Sequence, residues 1–179
     1  DYDFIAYMKS FNDDRIKPYR NSNNGIIAVN RNFGILKAKG EYIAFCDDDD
    51  YWKQNKLEKQ IKYFDKDRVI GIGTTVNLID SQSNIIHEPK KMKNKLLGLK
   101  EILFDSVPLS SLIIKNIGVL FDENKSFIAV EDFDLQLNLV AGSQMYILHL
   151  SEPLTYYRVD SQNKSSGIQQ KINSLHVVN

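Results

Sequence analysis

The sequence predicts an α/β domain, on three observations. Segments with apolar residues at helical spacing alternate along the chain with short runs rich in β-branched and aromatic residues. The composition is that of an ordinary folded protein: 42% of the 179 residues are hydrophobic and 26% charged, enough for one substantial core. Four consecutive aspartates, Asp47 to Asp50, begin where an apolar run ends, and in open α/β sheets the carboxyl ends of strands are where ligands sit.

Phe4, Ile5, Met8 and Phe11 recur at helical spacing and predict a first helix. Ile16 to Tyr19 fits a short edge strand, because Pro18 has no N–H to offer a central one. NNGIIAVNRNFGILKAKG (23–40) reads as a helix, with Asn23 or Asn24 to cap it, Lys37 and Lys39 in its last turn and Gly40 to stop it. EYIAFC (41–46) reads as a buried strand. YWKQNKLEKQIKYF (51–64) follows as a helix with Leu57, Ile61 and Phe64 on its apolar stripe.

RVIGIGTTVNLID (68–80) is strongly strand-like, and SQSNIIHE (81–88) is placed to pair with it after a turn. PKKMKNK (89–95) is a basic loop, which is either solvated or set near an anionic or lipid-linked acceptor. LLGLKEILF (96–104) predicts an amphipathic helix and PLSSLIIK (108–115) a strand. VLFDENKSFIAV (119–130) is irregular and leads into EDFDLQLNLVAG (131–142), a helix closed by Gly142. MYILHL (145–150) and EPLTYYRV (152–159) predict a final strand pair, after which a polar tail begins with DSQNKSSG.

Bulk charge excludes some functions. Lys+Arg and Asp+Glu are both 23, so no general electrostatic attraction toward nucleic acid or an anionic membrane is expected. The single cysteine, Cys46, allows no internal disulfide and fits a reducing compartment. No apolar run reaches bilayer length and DYDF is no signal peptide, so the expectation is a soluble, cytoplasmic protein. His87, His149 and His176 lack metal-ligand spacing.

Four adjacent aspartates repel one another, and ordinary packing does not call for them. A solvated acidic turn is one reading; a cation site is the other. Hard divalent cations take carboxylate oxygens, and Mg²⁺ shares its remaining positions with water and substrate phosphates. An EF-hand does not fit DDDDYWKQNKLE, which lacks the central Gly, and a haloacid-dehalogenase phosphatase would place Thr or Val soon after the second Asp.

NNGIIAVNRNFGILKAKGEYIAFCDDDDYWKQNKLEKQ closely resembles the central segment of family 2 glycosyltransferases. The shared residues include Asn24-Gly25, Arg31-Asn32, Gly34-Ile35, Asp47-x-Asp49-Asp50, Trp52 and Lys56-Leu57-Glu58, and the later SSLIIK, EDFDLQLNL and EPLTYYRV stand in the family's order. The resemblance implies a GT-A sandwich, with a central mixed, mostly parallel sheet flanked by helices. It also implies metal-dependent, inverting transfer of a sugar from a nucleotide-diphosphate donor, most simply a UDP-sugar, to a glycan or lipid-linked acceptor in bacterial surface-polysaccharide synthesis. Peripheral contact with the inner face of the membrane is compatible with such an acceptor.

By the same resemblance Asp47 and Asp49 would hold Mn²⁺ or Mg²⁺, with Arg31, Asp47 and Asp48 near the donor. Asp132 would be the catalytic base, and Glu131, Ser110 and Ser111 would line the acceptor or sugar pocket. Read alone, Glu131 and Asp132 are also ordinary first-turn acids of a helix, and Tyr51 and Trp52 packing residues. A glycosidase would instead need two carboxyl groups flanking one bond. A nucleotidyltransferase would call for a Gly-rich nucleotide loop, which NNGIIAVNRN scarcely offers.

The chain departs from the family pattern in two places. The family's first strands, which bind base and ribose, have no counterpart, so residues 1–160 are expected to form a partial GT-A domain followed by the polar tail 161–179. That departure keeps open a non-catalytic module that binds a glycan or partner. Asp160 stands where the family often has His, and offers an oxygen ligand in its place.

Overall fold

The computed structural model describes residues 3–90, 92–142 and 144–159. A mixed sheet lies at its centre, with strands β1 (Tyr42–Ala44), β2 (Tyr51–Trp52), β3 (Val69–Ile79), β4 (Ile85–His87), β5 (Lys95–Leu97), β6 (Ile113–Lys115) and β7 (Tyr146–Arg158). The order across it is β1-β6-β3-β7-β2; β4 continues the β6 side of β3, and β5 pairs with the first half of β7. The helices are α1 (Phe4–Ser10), α2 (Ile27–Lys37), α3 (Lys56–Ile61), α4 (Leu99–Ile102) and α5 (Glu131–Val140).

Alternation along the strands splits the core in two. Ile70, Ile114 and Ile147 face α2, α4 and α5 in a large cluster that includes Ala28, Ile35, Ile102, Leu135 and Leu139. Their neighbours Val69, Ile72, Ile113 and Leu148 face the other way, onto Phe64 beyond the end of α3. α1 buries no residue.

The sheet is mixed as expected, but its balance is not. Among the described strands only β3 and β7 pair in parallel. β1 and β3, joined through α3, do run in the same direction, but β6 lies between them antiparallel to both. Alternating helices and strands fix the direction of successive strands, not whether they become neighbours.

Several local expectations change. Residues 16–19 form no strand. Asn23 does not cap α2; its side chain accepts from the Gly25 N–H at 3.1 Å, and Asn24 and Gly25 take positive φ in the turn before the helix. α2 ends at Lys37, ahead of Gly40. Tyr51 and Trp52 pair with Tyr156 and Thr155 as a strand rather than opening a helix.

On α3 the inward residues are Lys56 and Gln60, both fully buried, whereas Leu57 and Ile61 are exposed. The helix is turned because the Gln60 amide satisfies the Ile72 and Ser111 carbonyls at 2.8 and 2.9 Å. The predicted helix at 96–104 begins as β5, and 109–111 is a 3-10 turn leading into β6. The two final strands are one. Ser151 to Leu154 oppose Thr75 alone in a bulge that accommodates Pro153, and the Thr75 hydroxyl donates to the Ser151 carbonyl at 2.8 Å.

Candidate active site

Three elements meet at the carboxyl end of β1. α2 carries Arg31 and Asn32, the loop after β1 carries the aspartates, and the first turn of α5 carries Glu131 and Asp132. The Arg31 guanidinium joins them. Its Nη1 donates to Glu131 Oε1 at 2.7 Å and its Nη2 to Asp47 Oδ1 at 3.0 Å. The Arg31 and Glu131 side chains are only 14% and 10% exposed, against 36% for Asp47. Arg31 also lies over the Phe121 ring at 5.4 Å.

Asn32 holds that ring in place. Its amide donates to the Phe121 carbonyl at 2.9 Å and to Glu123 Oε1 at 2.8 Å, and its oxygen accepts from the Phe121 N–H at 2.8 Å. A buried Asn met on three sides leaves little freedom to the segment leading toward α5. Ala129 in that segment takes a φ of 70°, a strained value for a residue with a Cβ, two positions before Glu131.

The aspartates divide by position. The Asp47 N–H donates to Ser110 Oγ at 3.0 Å, and the Asp50 N–H to the Asp47 carbonyl at 3.2 Å, closing a turn on which Asp48 and Asp49 are exposed. Asp50 turns inward. Its Oδ1 accepts from the Arg158 N–H at 2.8 Å, and its Oδ2 is buried without a protein partner. Burial lifts the Asp50 carboxyl above its ordinary value, with the Ser110 hydroxyl and the Arg158 N–H opposing.

Burial first, and then the Glu131 charge, also raises Asp132 above the ordinary carboxylate value. Its Oδ1 accepts from the Phe133 N–H at 2.9 Å. Burial and the charges of Asp50, Asp47 and Asp132 together raise the phenol of Tyr157, so that ring stands among the acids.

Ser110 and Ser111 do not line an open pocket: both are fully buried. Ser110 supports the acidic loop through Asp47, and its carbonyl accepts from Trp52 Nε1 at 2.7 Å. Ser111 Oγ accepts from the Thr74 N–H at 3.2 Å and donates to the Pro108 carbonyl at 2.8 Å. Sequence reasoning also passed over Arg158. Its Nε donates to the Asp49 carbonyl at 2.9 Å and its Nη2 to Ser83 Oγ at 3.0 Å, and a further short bond reaches the Asp80 carbonyl. Arg158 thus ties the acidic turn to the β3–β4 hairpin; a lone cation ending a strand carries no sequence signal for that. Asp160 lies outside the described residues.

Among the described residues no three His, Cys, Asp or Glu side chains gather as a ready-made cation cage. The oxygen donors open at the turn are the carboxylates of Asp48 and Asp49 and the Asp47 oxygen that Arg31 leaves free.

The model of "Glycosyl transferase family 2" matches residues 4–122. A glycosyltransferase of Methanocaldococcus jannaschii is 29% identical across 99% of this chain and 68% of its own length. The Escherichia coli UDP-Glc:alpha-D-GlcNAc-diphosphoundecaprenol beta-1,3-glucosyltransferase WfgD is 26% identical, across 88% of this chain and 61% of its own. The crystal structure of Staphylococcus aureus TarS 1–349 superimposes with a TM-score of 0.59 at 17% identity, over 78% of this chain and 42% of that one. The chain therefore spans about two thirds or less of these proteins. The α/β sheet of this chain has the GT-A architecture of TarS, and with the family match running from α1 through the acidic loop to Asp122, the chain belongs to glycosyl transferase family 2.

Proposed function

We propose that this chain transfers a sugar from a nucleoside-diphosphate donor to an acceptor hydroxyl, with Mn²⁺ or Mg²⁺ at the acidic loop. The observation that carries this reading is the Arg31 bridge. It joins the carboxylate of a donor-side loop, Asp47, to that of an acceptor-side helix, Glu131, two groups far apart in sequence. Family membership supplies the reaction class.

The donor set suits a hard cation that completes its shell with water and phosphate oxygens, because Asp49 and the free Asp47 oxygen are carboxylates open to solvent. Asp47 and Asp49 would hold the ion, with Asp48 beside them on the donor side. Bound there, the cation would act as a Lewis acid toward the departing diphosphate.

The chain's own residues do the rest. Arg31 offsets part of the repulsion among the aspartates by holding one Asp47 oxygen, and fixes Glu131 in the first turn of α5. Asp132 takes the acceptor hydroxyl's proton on Oδ2, the oxygen that the Phe133 N–H leaves free. Burial and the neighbouring Glu131 charge raise its pKa, which makes its ionised form a stronger base than an ordinary carboxylate, and a positioned base contributes about 10²–10⁴-fold. Attack by the acceptor opposite the leaving diphosphate inverts the anomeric carbon in one displacement.

UDP is the favoured nucleotide: TarS has been crystallised with UDP and with UDP-GlcNAc, and WfgD is named for a UDP-Glc donor and a diphosphoundecaprenol-linked acceptor. The WfgD name favours a lipid-linked acceptor, and relatives named for teichuronic acid and amylovoran biosynthesis favour polysaccharide assembly, with work at a membrane face. No helix among the described residues is long and apolar enough to cross a membrane.

The test is calorimetric binding of UDP, GDP, CDP and dTDP, each with Mn²⁺ and with chelator, to the wild-type chain and to Asp49→Ala. Metal-dependent binding of one nucleotide that Asp49→Ala abolishes, in a protein whose circular dichroism is unchanged, is expected. Binding that survives in Asp49→Ala removes Asp49 from the site. No binding of any nucleotide means that this chain by itself lacks a working donor site.

A further inference from the structure

Lys56 is fully buried, and its Nζ has no hydrogen-bond partner. A bare ammonium in an interior is costly, and cores do not retain one without a compensating interaction. What it meets is the face of Trp52, with Nζ 4.1 Å from the ring centroid. Two buried acceptors nearby in the fold are also unpartnered. Gln60 Oε1 lies one turn along α3, and Thr155 Oγ1 belongs to the residue that pairs with Trp52 across β2 and β7. A lysine has three donors and no acceptor, so the compensating contact the structure gives this ammonium is the electron-rich face of Trp52.

The contact matters because of what Trp52 holds. Its Nε1 donates to the Ser110 carbonyl, and Ser110 Oγ accepts the Asp47 N–H. A continuous path therefore runs from a buried cation through the indole and Ser110 to the first aspartate of the loop. Among the described residues Cys46 is the titratable group whose charge acts on Lys56. Trp52, whose ring it meets from β2, and Gln60, one turn along α3, do not titrate. Cys46 is exposed and reports on the same loop, its Sγ lying 3.7 Å from the Asp50 carbonyl.

We propose that Lys56 is a positioning residue: its buried ammonium seats Trp52, and through Trp52 and Ser110 sets the conformation of the Asp47–Asp50 loop. The consequence for donor affinity rests on the reading of that loop as the donor site; the conformational claim does not.

Two probes built into the chain test it without a ligand. Trp52 is the one tryptophan and Cys46 the one cysteine. Burial lowers the Lys56 ammonium to about 8, so wild-type Trp52 emission should show a pH transition near there. The transition should vanish in Lys56→Met and leave this range in Lys56→Arg, which keeps the charge. Iodoacetamide should alkylate Cys46 several-fold faster in Lys56→Met, because the loop loosens; loss of the cation alone would raise the thiol further and slow the reaction.

A transition that persists in Lys56→Met, or alkylation unchanged or slower, overturns the proposal. The third arm is Mn²⁺-UDP affinity, expected to weaken about tenfold in Lys56→Met and to recover in Lys56→Arg. Failure of the wild type to bind UDP counts against the donor reading alone, because the emission and alkylation results still decide the role of Lys56.

Discussion

Replacing Arg31 by Met tests the bridge that assembles the site. The substitution keeps an apolar stem against Phe121 but removes both ion pairs. Their losses are unequal. The Glu131 side chain is 10% exposed and its Oε2 already lacks a partner, so without Arg31 both carboxylate oxygens stand unpaired in the interior. Breaking a buried pair from one side costs about 3–5 kcal/mol.

Asp47 is 36% exposed and rehydrates, which holds its share to about 0–1 kcal/mol. The lost contact of the guanidinium with Phe121 is partly replaced by a sulfur–aromatic one. The expected net loss is about 3 kcal/mol in urea unfolding at pH 7, with the slope unchanged. Glu131→Gln added to Arg31→Met should recover much of it, so the double-mutant cycle should show a coupling above about 1.5 kcal/mol. A loss below about 1 kcal/mol, or additive effects, would refute the claim that Arg31 compensates a buried Glu131.

Three other changes have expected outcomes. Asp132→Asn should lower sugar transfer by about 10²–10⁴-fold while nucleotide affinity by calorimetry stays within error. Because the folded state raises this pKa, wild-type transfer should climb with pH along a limb above the ordinary carboxylate range. The native state then binds this proton more tightly than the unfolded chain, so stability is lost as pH rises through the raised value. Asp132→Asn should accordingly melt higher than wild type at pH 7 and lose that advantage in acid.

Lys56→Met should be more stable than wild type at pH 7 by about 2–3 kcal/mol, although we expect it to misplace the loop. Folding lowers the ammonium from 10.5 to about 8, so the unfolded chain binds more protons between those values. Wild-type stability therefore rises with pH across that window, and denaturant titrations should show the gap closing toward its upper end. Gly73→Ala would place its Cβ 2.5 to 2.8 Å from three side-chain atoms of the buried Val107. It should cost about 1–3 kcal/mol in thermal unfolding, against less for Gly71→Ala, whose nearest contacts are 3.4 Å.

The acidic turn was legible because four repelling carboxylates end an apolar run, and α5 because acids open its first turn and Gly142 follows its end, although Phe133, Leu135, Leu137 and Leu139 alternate as in a strand. Where the reading went wrong, a tertiary contact outweighed a local pattern. Leu57 and Ile61 looked like the buried stripe of α3, but the carbonyls of Ile72 and Ser111 needed the Gln60 amide and turned the helix the other way. Ser110 and Ser111 looked like pocket hydroxyls; a 3-10 turn buried them beneath the loop they support. The gap between MYILHL and EPLTYYRV looked like a turn, although a bulge lets Pro153 sit within one continuous strand.

The sequence by itself determined which residues form helices and strands in broad outline, and the family, because period, turn chemistry and motif spacing are written locally. Only the tertiary structure decided that β6 separates β1 from β3, that Arg31 joins Asp47 to Glu131, and that Lys56 ends on the face of Trp52. Those outcomes depend on which distant groups must satisfy one another's charge and hydrogen bonds once water is excluded, and residue spacing along one chain does not encode that.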